Sequence, residues 1–220
     1  MKKIVIVLCL LCAVAFAQSS GNFAAKVGTA ACEINNVTGS ITGGMTNTLL
    51  ETSIKTPNSS STALVIRPSL FTGLYTKTRV DNLNESTTSV AGIKVRVQLC
   101  DEAGLICKVV APGVDPGGWV YYDKRFQQLS SNVPSFLGAD CNPDPNIVEP
   151  CYIQLILSTL AAHSADFVIG DVGGGTHKVR VEWAFETVGA PGDAGACVGP
   201  GVLTVQQVKT FSTGGGIVIE

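Results

Sequence analysis

Ala91-Gly-Ile-Lys-Val-Arg-Val-Gln-Leu99 and Thr176-His-Lys-Val-Arg-Val-Glu-Trp183 decide the fold class. In the first, Ile93, Val95, Val97 and Leu99 alternate with Lys94, Arg96 and Gln98. In the second, Val179, Val181 and Trp183 alternate with Lys178, Arg180 and Glu182. A period of two gives a strand one buried face and one wet face. Similar stretches recur at Ala24–Ile34, Thr62–Arg67, Leu70–Val80, Gly118–Gln127, Cys151–Leu160, Ser164–Ile169 and Val202–Phe211. Turn clusters separate them, among them Gly43-Gly44, Pro57-Asn58-Ser59, Pro116-Gly117-Gly118 and Gly173-Gly174-Gly175. The result is an all-β expectation of about nine strands in an antiparallel sandwich.

Ile153, Ile156, Leu157 and Leu160 also fit a helical stripe, but strand parity fits equally well. The reading adopted is a strand ending at a corner near Ala161-Ala162-His163. A short helical turn would fit Phe126–Asn132. His163–Trp183 reads as a hairpin turning at Gly170–Gly175, where consecutive glycines allow a tight reversal. This stretch resembles hairpins of secreted jelly-roll sandwiches, which implies an antiparallel jelly roll and no particular activity. Gly189–Gly201 reads as a loop.

The chain has 220 residues. A Met1-Lys2-Lys3 start, an apolar run to Phe16 and Ala15-Phe16-Ala17 read as a signal peptide over 1–17 of bacterial type. Residues 18–220 are then one secreted, extracellular β-sandwich domain, on the cell surface or free. Apolar residues make up 45% and charged residues 15%, which excludes a disordered chain. A net charge of -2 argues against nucleic acid as partner. No second apolar run is long enough for a helical membrane span.

Six cysteines follow the signal segment, an even number that reads as disulfides in an exported chain. Cys100 with Cys107 and Cys141 with Cys151 each bracket a short loop, which leaves Cys32 with Cys197. Their spacing lacks the close pairs of a zinc site, and neither histidine sits beside them.

No catalytic residues stand out. His163, Ser164 and Asp166 adjoin in sequence, but alternation sends His163 and Ser164 to opposite faces, and no serine elbow is present. His177 shares the parity of Val179 and reads as a hydrogen-bonded residue at the rim of the core. Nothing selects two carboxylates for glycoside hydrolysis. No cofactor is expected. Asp140 and Asp144 offer oxygen ligands for Ca2+, but prolines 143 and 145 explain that loop without an ion.

The functional expectation is a structural or adhesive, non-enzymatic protein acting through surface contacts. The alternative is a carbohydrate-binding module, with an extracellular hydrolase as a remote third. In Trp119-Val-Tyr-Tyr-Asp-Lys-Arg125, alternation groups Trp119, Tyr121, Asp123 and Arg125 on one face and Val120, Tyr122 and Phe126 on the other. Two exposed rings beside two charges would suit a glycan. At the far end, Ile217-Val218-Ile219 follows three glycines. Its strand preference would let it close its own sheet or pair with another copy or surface protein.

Overall fold

The computed structural model describes residues 22–34, 47–58, 62–81, 86–113, 117–130, 152–189 and 193–209. Eleven strands run along these segments. They are β1 (Phe23–Gly28), β2 (Ala31–Ile34), β3 (Asn47–Thr56), β4 (Thr62–Asp81), β5 (Ser86–Cys100) and β6 (Cys107–Val109). Then follow β7 (Val120–Ser130), β8 (Tyr152–Ser164), β9 (Phe167–Ile169), β10 (Gly175–Val188) and β11 (Ala194–Lys209).

The first sheet has the order β1-β11-β4-β8, with β2 also on β11 and β9 also on β4. The second has the order β3-β10-β5, with β6 and β7 both on β5. Every pairing between these strands is antiparallel. The main strands exchange sheets in the sequence that defines a jelly roll: β1, β4, β8 and β11 in one, β3, β5, β7 and β10 in the other.

The two defining stretches behave as their alternation demands. Ile93, Val95, Val97, Val179, Val181 and Trp183 are buried between the sheets, where Leu64, Ile66, Leu74, Phe167 and Leu203 meet them. Lys94, Arg96, Lys178 and Arg180 face outward.

Several boundaries differ from expectation. Ala24–Ile34 is two strands, and Thr62–Arg67 and Leu70–Val80 are one. Pro68 causes no break in β4 because it lies in a gap of the neighbouring ladder. β8 pairs only as far as Ser69, and β9 only from Ile66. Residues 153–162 are strand, and β8 runs through the expected corner to Ser164. Phe126 to Ser130 continues β7 as strand, without a helical turn. β3 carried no expectation at all.

Most of the expected loop Gly189–Gly201 belongs to β11, with a register shift between Val198 and Gly201. Glycine is required at 199. Its φ is +91°, and a Cβ there would stand 2.5 Å from the Thr29 carbonyl oxygen.

His163–Trp183 is not a hairpin. β9 pairs with β4 in the first sheet, whereas β10 pairs with β3 and β5 in the second. Gly170–Gly175 therefore crosses between layers. His177 fastens that crossing: its Nε2–H donates to the Gly173 carbonyl at 2.8 Å, and the Thr56 hydroxyl donates to the same oxygen at 2.6 Å.

Cys32–Cys197 and Cys100–Cys107 are disulfides, each joining residues directly opposite across an antiparallel pair. Cys141, Cys151, Asp140, Asp144 and the terminal Ile217, Val218 and Ile219 lie outside the described residues, as does the signal segment.

Candidate functional site: two outer faces and a polar seam

The expected aromatic site depends on the parity of β7, and a bulge changes that parity. Tyr121 stands opposite Lys94 and Asp123 opposite Ile93, so Tyr122 is an extra residue in β7. Before the bulge Tyr121 points outward. After it Asp123, Arg125 and Gln127 point between the sheets, and Phe126 points to solvent with 64% of its surface exposed. The grouping of Trp119 and Tyr121 with Asp123 and Arg125 is therefore overturned. The structure divides them between two faces. A period-two count cannot register one inserted residue.

Around Trp119 and Tyr121, the outer face of the second sheet is a network of charges. The Arg96 guanidinium lies 4.6 Å from the Trp119 ring centre and makes hydrogen bonds of 3.0 and 2.6 Å to Glu182. Lys94 and Lys124 lie 4.6 and 4.5 Å from the Tyr121 ring centre. Glu186 accepts from the Tyr121 hydroxyl at 2.5 Å and pairs with Lys94 at 2.7 Å and Lys124 at 3.0 Å. Burial pushes the Glu186 carboxyl up, but hydrogen bonds from Lys94, Tyr121 and Lys124 outweigh it and lower the group to about 2. Arg180 pairs with Glu51 at 2.8 Å on the same face. Cations already lie over both rings, so a sugar stacking there would have to displace them.

The inward residues of β7 build a polar seam that the sequence did not suggest. Gln127 accepts from the Thr76 hydroxyl at 2.6 Å and donates to Thr78 at 2.5 Å and to the Leu155 carbonyl at 3.0 Å. The Thr72 hydroxyl donates to Asp123 at 2.9 Å, and His163 Nε2 lies 3.7 Å from the same carboxylate oxygen. Tyr122 meets the His163 ring edge-on, donates to the Pro68 carbonyl at 2.9 Å, and is held by burial well above the ordinary phenol range. His163 thus joins Asp123, not Ser164 and Asp166. Ser164 stands opposite Ser69 on the other face, and Asp166 pairs with Arg67 at 2.6 Å. The seam brings His163 and the Thr72 hydroxyl to the same Asp123 oxygen. Its hydrogen bonds tie β7 to β4 and β8.

At one end of the sandwich, a hollow of about 310 Å3 is bordered by Asp101, Glu102, Asp171 and His177. Asp101 is occupied there: the amides of Ile106 and Leu105 donate to its carboxylate and hold it below the usual range. Among the described residues no group of three or more His, Cys, Asp or Glu is placed to hold a metal ion, and no helix is long and apolar enough to cross a membrane.

The outer face of the first sheet is chemically unlike the second. Register places Val27 of β1, Val202 of β11, Phe71 of β4 and Leu160 and Ala162 of β8 on it. All of these are exposed. Val27, Val202, Phe71 and Ala162 line a groove of about 440 Å3 together with the small residues Ser69, Ser164 and Gly201. On β8, Leu155, Ile156 and Leu157 are exposed as well, on both faces of the strand. Sequence alternation had not pointed to this face, because its residues belong to four strands distant in the chain.

No family model matches the chain, and no curated protein sequence matches it. Among solved structures, one similar chain is from infectious bursal disease virus, Gx strain, with 14% identity and a TM-score of 0.35, covering 89% of this chain and 38% of that one. A CocE/NonD family hydrolase from Staphylococcus aureus gives 13% identity and a TM-score of 0.26, covering 88% of this chain and 38% of its own. A xylan-binding domain from Paenibacillus barcinonensis gives 9% identity and a TM-score of 0.18, covering 86% and 87%. The chain spans about two fifths of the length of the first two. Likeness at these levels says nothing about activity.

Proposed function

We propose that this is an exported structural or adhesive protein that works by surface contact and not by catalysis. The observation that carries this reading is the contrast between the two outer faces. One carries ion pairs across its centre and exposes Phe126 and Val188 beside Val90 towards one end, while the other leaves apolar side chains of four neighbouring strands in water. Contiguous exposed apolar surface on a folded domain marks a place where something else binds. The seam's bonds from Thr72 to Asp123, Thr76 to Gln127 and Gln127 to Thr78 join the two sheets, a structural use of polar groups. Two disulfides, one between chain segments 165 residues apart, suit an oxidising extracellular compartment.

The test is differential footprinting. The protein is labelled with a photo-generated carbene in its native extracellular fraction and again after purification and dilution. The reading expects Val27, Phe71 and Leu160 to be protected in the native fraction only, and Phe126 to be labelled equally in both. Equal labelling of the first-sheet face in the two samples would overturn it.

A further inference from the structure

We infer that the outer face of the first sheet receives a second copy of this chain in an isologous, two-fold contact. The inference rests on the contact reading above and names its partner. Exposure is the first ground. Leu160 exposes 77% of its surface, Val27 70%, Phe71 47% and Val202 37%. Scattered exposed apolar residues are ordinary, but these lie on four adjacent strands.

Shape is the second ground. Ala162, Phe71, Val202 and Val27 flank the groove of about 440 Å3. One outward step along β8, Leu160 stands opposite Gly73, which has no side chain to cover it. A face carrying both a protruding leucine and a hollow can fit itself, as a two-fold contact requires.

Charge is the third. The stripe is bounded by Arg67–Asp166 at 2.6 Å towards one end and Lys77–Asp193 at 3.9 Å towards the other. Each pair is neutral by itself. A strongly charged partner would find nothing to complement, whereas a copy of the same face brings an apolar centre and a neutral rim, the usual anatomy of a protein interface.

Area is the fourth. β8, β4, β11 and the row that β1 and β2 share, about 4.8 Å apart and over about eight residues at about 3.4 Å each, make a flat area of about 500 Å2. That is below the roughly 800 Å2 per partner of standard interfaces and fits a weak, reversible contact. Cys32–Cys197 lies within the same stretch, with Cys197 opposite Gly73, and fixes β2 to β11 before any partner arrives.

Sedimentation velocity of the purified full chain from about 1 to about 100 µM tests the inference. The expected result is a reversible monomer–dimer equilibrium. Leu160→Glu and Phe71→Glu should each weaken it at least about tenfold without changing the melting temperature of the dilute monomer. Phe126→Glu, on the second sheet, should leave it unchanged. A monomer throughout the range overturns the inference, as does a dimer indifferent to Leu160→Glu. So does an open-ended polymer abolished by deleting 214–220, which would make the terminal strand the occupant. A monomer whose groove takes up an apolar fluorescent dye, lost on Phe71→Glu, would assign the groove to a small apolar ligand and equally sink it. If the purified protein stays monomeric while footprinting still shows protection in the native fraction, the partner is another molecule and the contact reading stands.

Discussion

The two outer faces of this jelly roll come from strands of the same kind, yet they meet water differently. On the second sheet, Lys94, Arg96, Lys124, Glu182 and Glu186 neutralise one another, and Trp119 and Tyr121 lie beneath the cations. On the first, Val27, Phe71, Leu160 and Val202 have no such cover. Folding alone asks only that each strand bury one face. The second sheet covers the centre of its outer face with ion pairs, whereas the first leaves apolar side chains of four neighbouring strands exposed.

Five variants break or sharpen that contrast. The largest effect belongs to the core that both faces share. Trp183 is buried between the sheets, and Trp183→Ala should cost about 3–5 kcal/mol, read from urea unfolding. A comparable loss at Arg180→Ala, on the outward parity and ion-paired at the surface, would show that the facing of β10 is inverted. Next comes the covalent tie on the first-sheet side. Replacing Cys32 and Cys197 together by serine should cost about 2–5 kcal/mol, and an unchanged unfolding midpoint would show the bridge to be dispensable.

Smaller effects probe the second-sheet network. Glu182 is buried against Arg96, so Glu182→Ala removes the guanidinium's carboxylate partner, leaves it only the Gly117 carbonyl among these bonds, and should cost about 1–3 kcal/mol. Glu186 is more open, and its effect is read as a pH dependence. Its carboxyl lies near 2 in the folded protein against about 4.3 unfolded. The stabilisation is therefore complete above the unfolded value and is lost as pH falls towards about 2. Urea midpoints should decline across this window, and Glu186→Gln should flatten the decline. An identical slope in the variant would show that Glu186 does not carry it.

Much of the fold was legible because large β-branched and aromatic residues alternate in β5 and β10. Less was legible where the alternation is carried by small side chains. Ala194, Ala196 and Val198 share one buried parity, yet their Gly/Pro/Ala-rich setting reads as a loop. β3 escaped because its segment is rich in threonine, serine and asparagine, with only Leu50 and Ile54 buried as hydrophobic side chains. Cys100–Cys107 followed from spacing and Cys32–Cys197 was the pair left over; each closes directly across a strand pair. The grouping of Trp119 and Tyr121 with Asp123 and Arg125 on one face fails, because one bulge turns Asp123 and Arg125 inward. The apolar face is an effect of topology: Val27, Phe71, Leu160 and Val202 become neighbours only once β1, β11, β4 and β8 line up.

Photo-crosslinking compares the two faces directly. A photo-crosslinking amino acid is placed at Leu160 of the first sheet in one variant and at Phe126 of the second in another, and both are irradiated in the producing culture before purification. The account predicts covalent adducts from position 160 and essentially none from position 126. Equal yields from the two positions, or adducts from 126 alone, would contradict it.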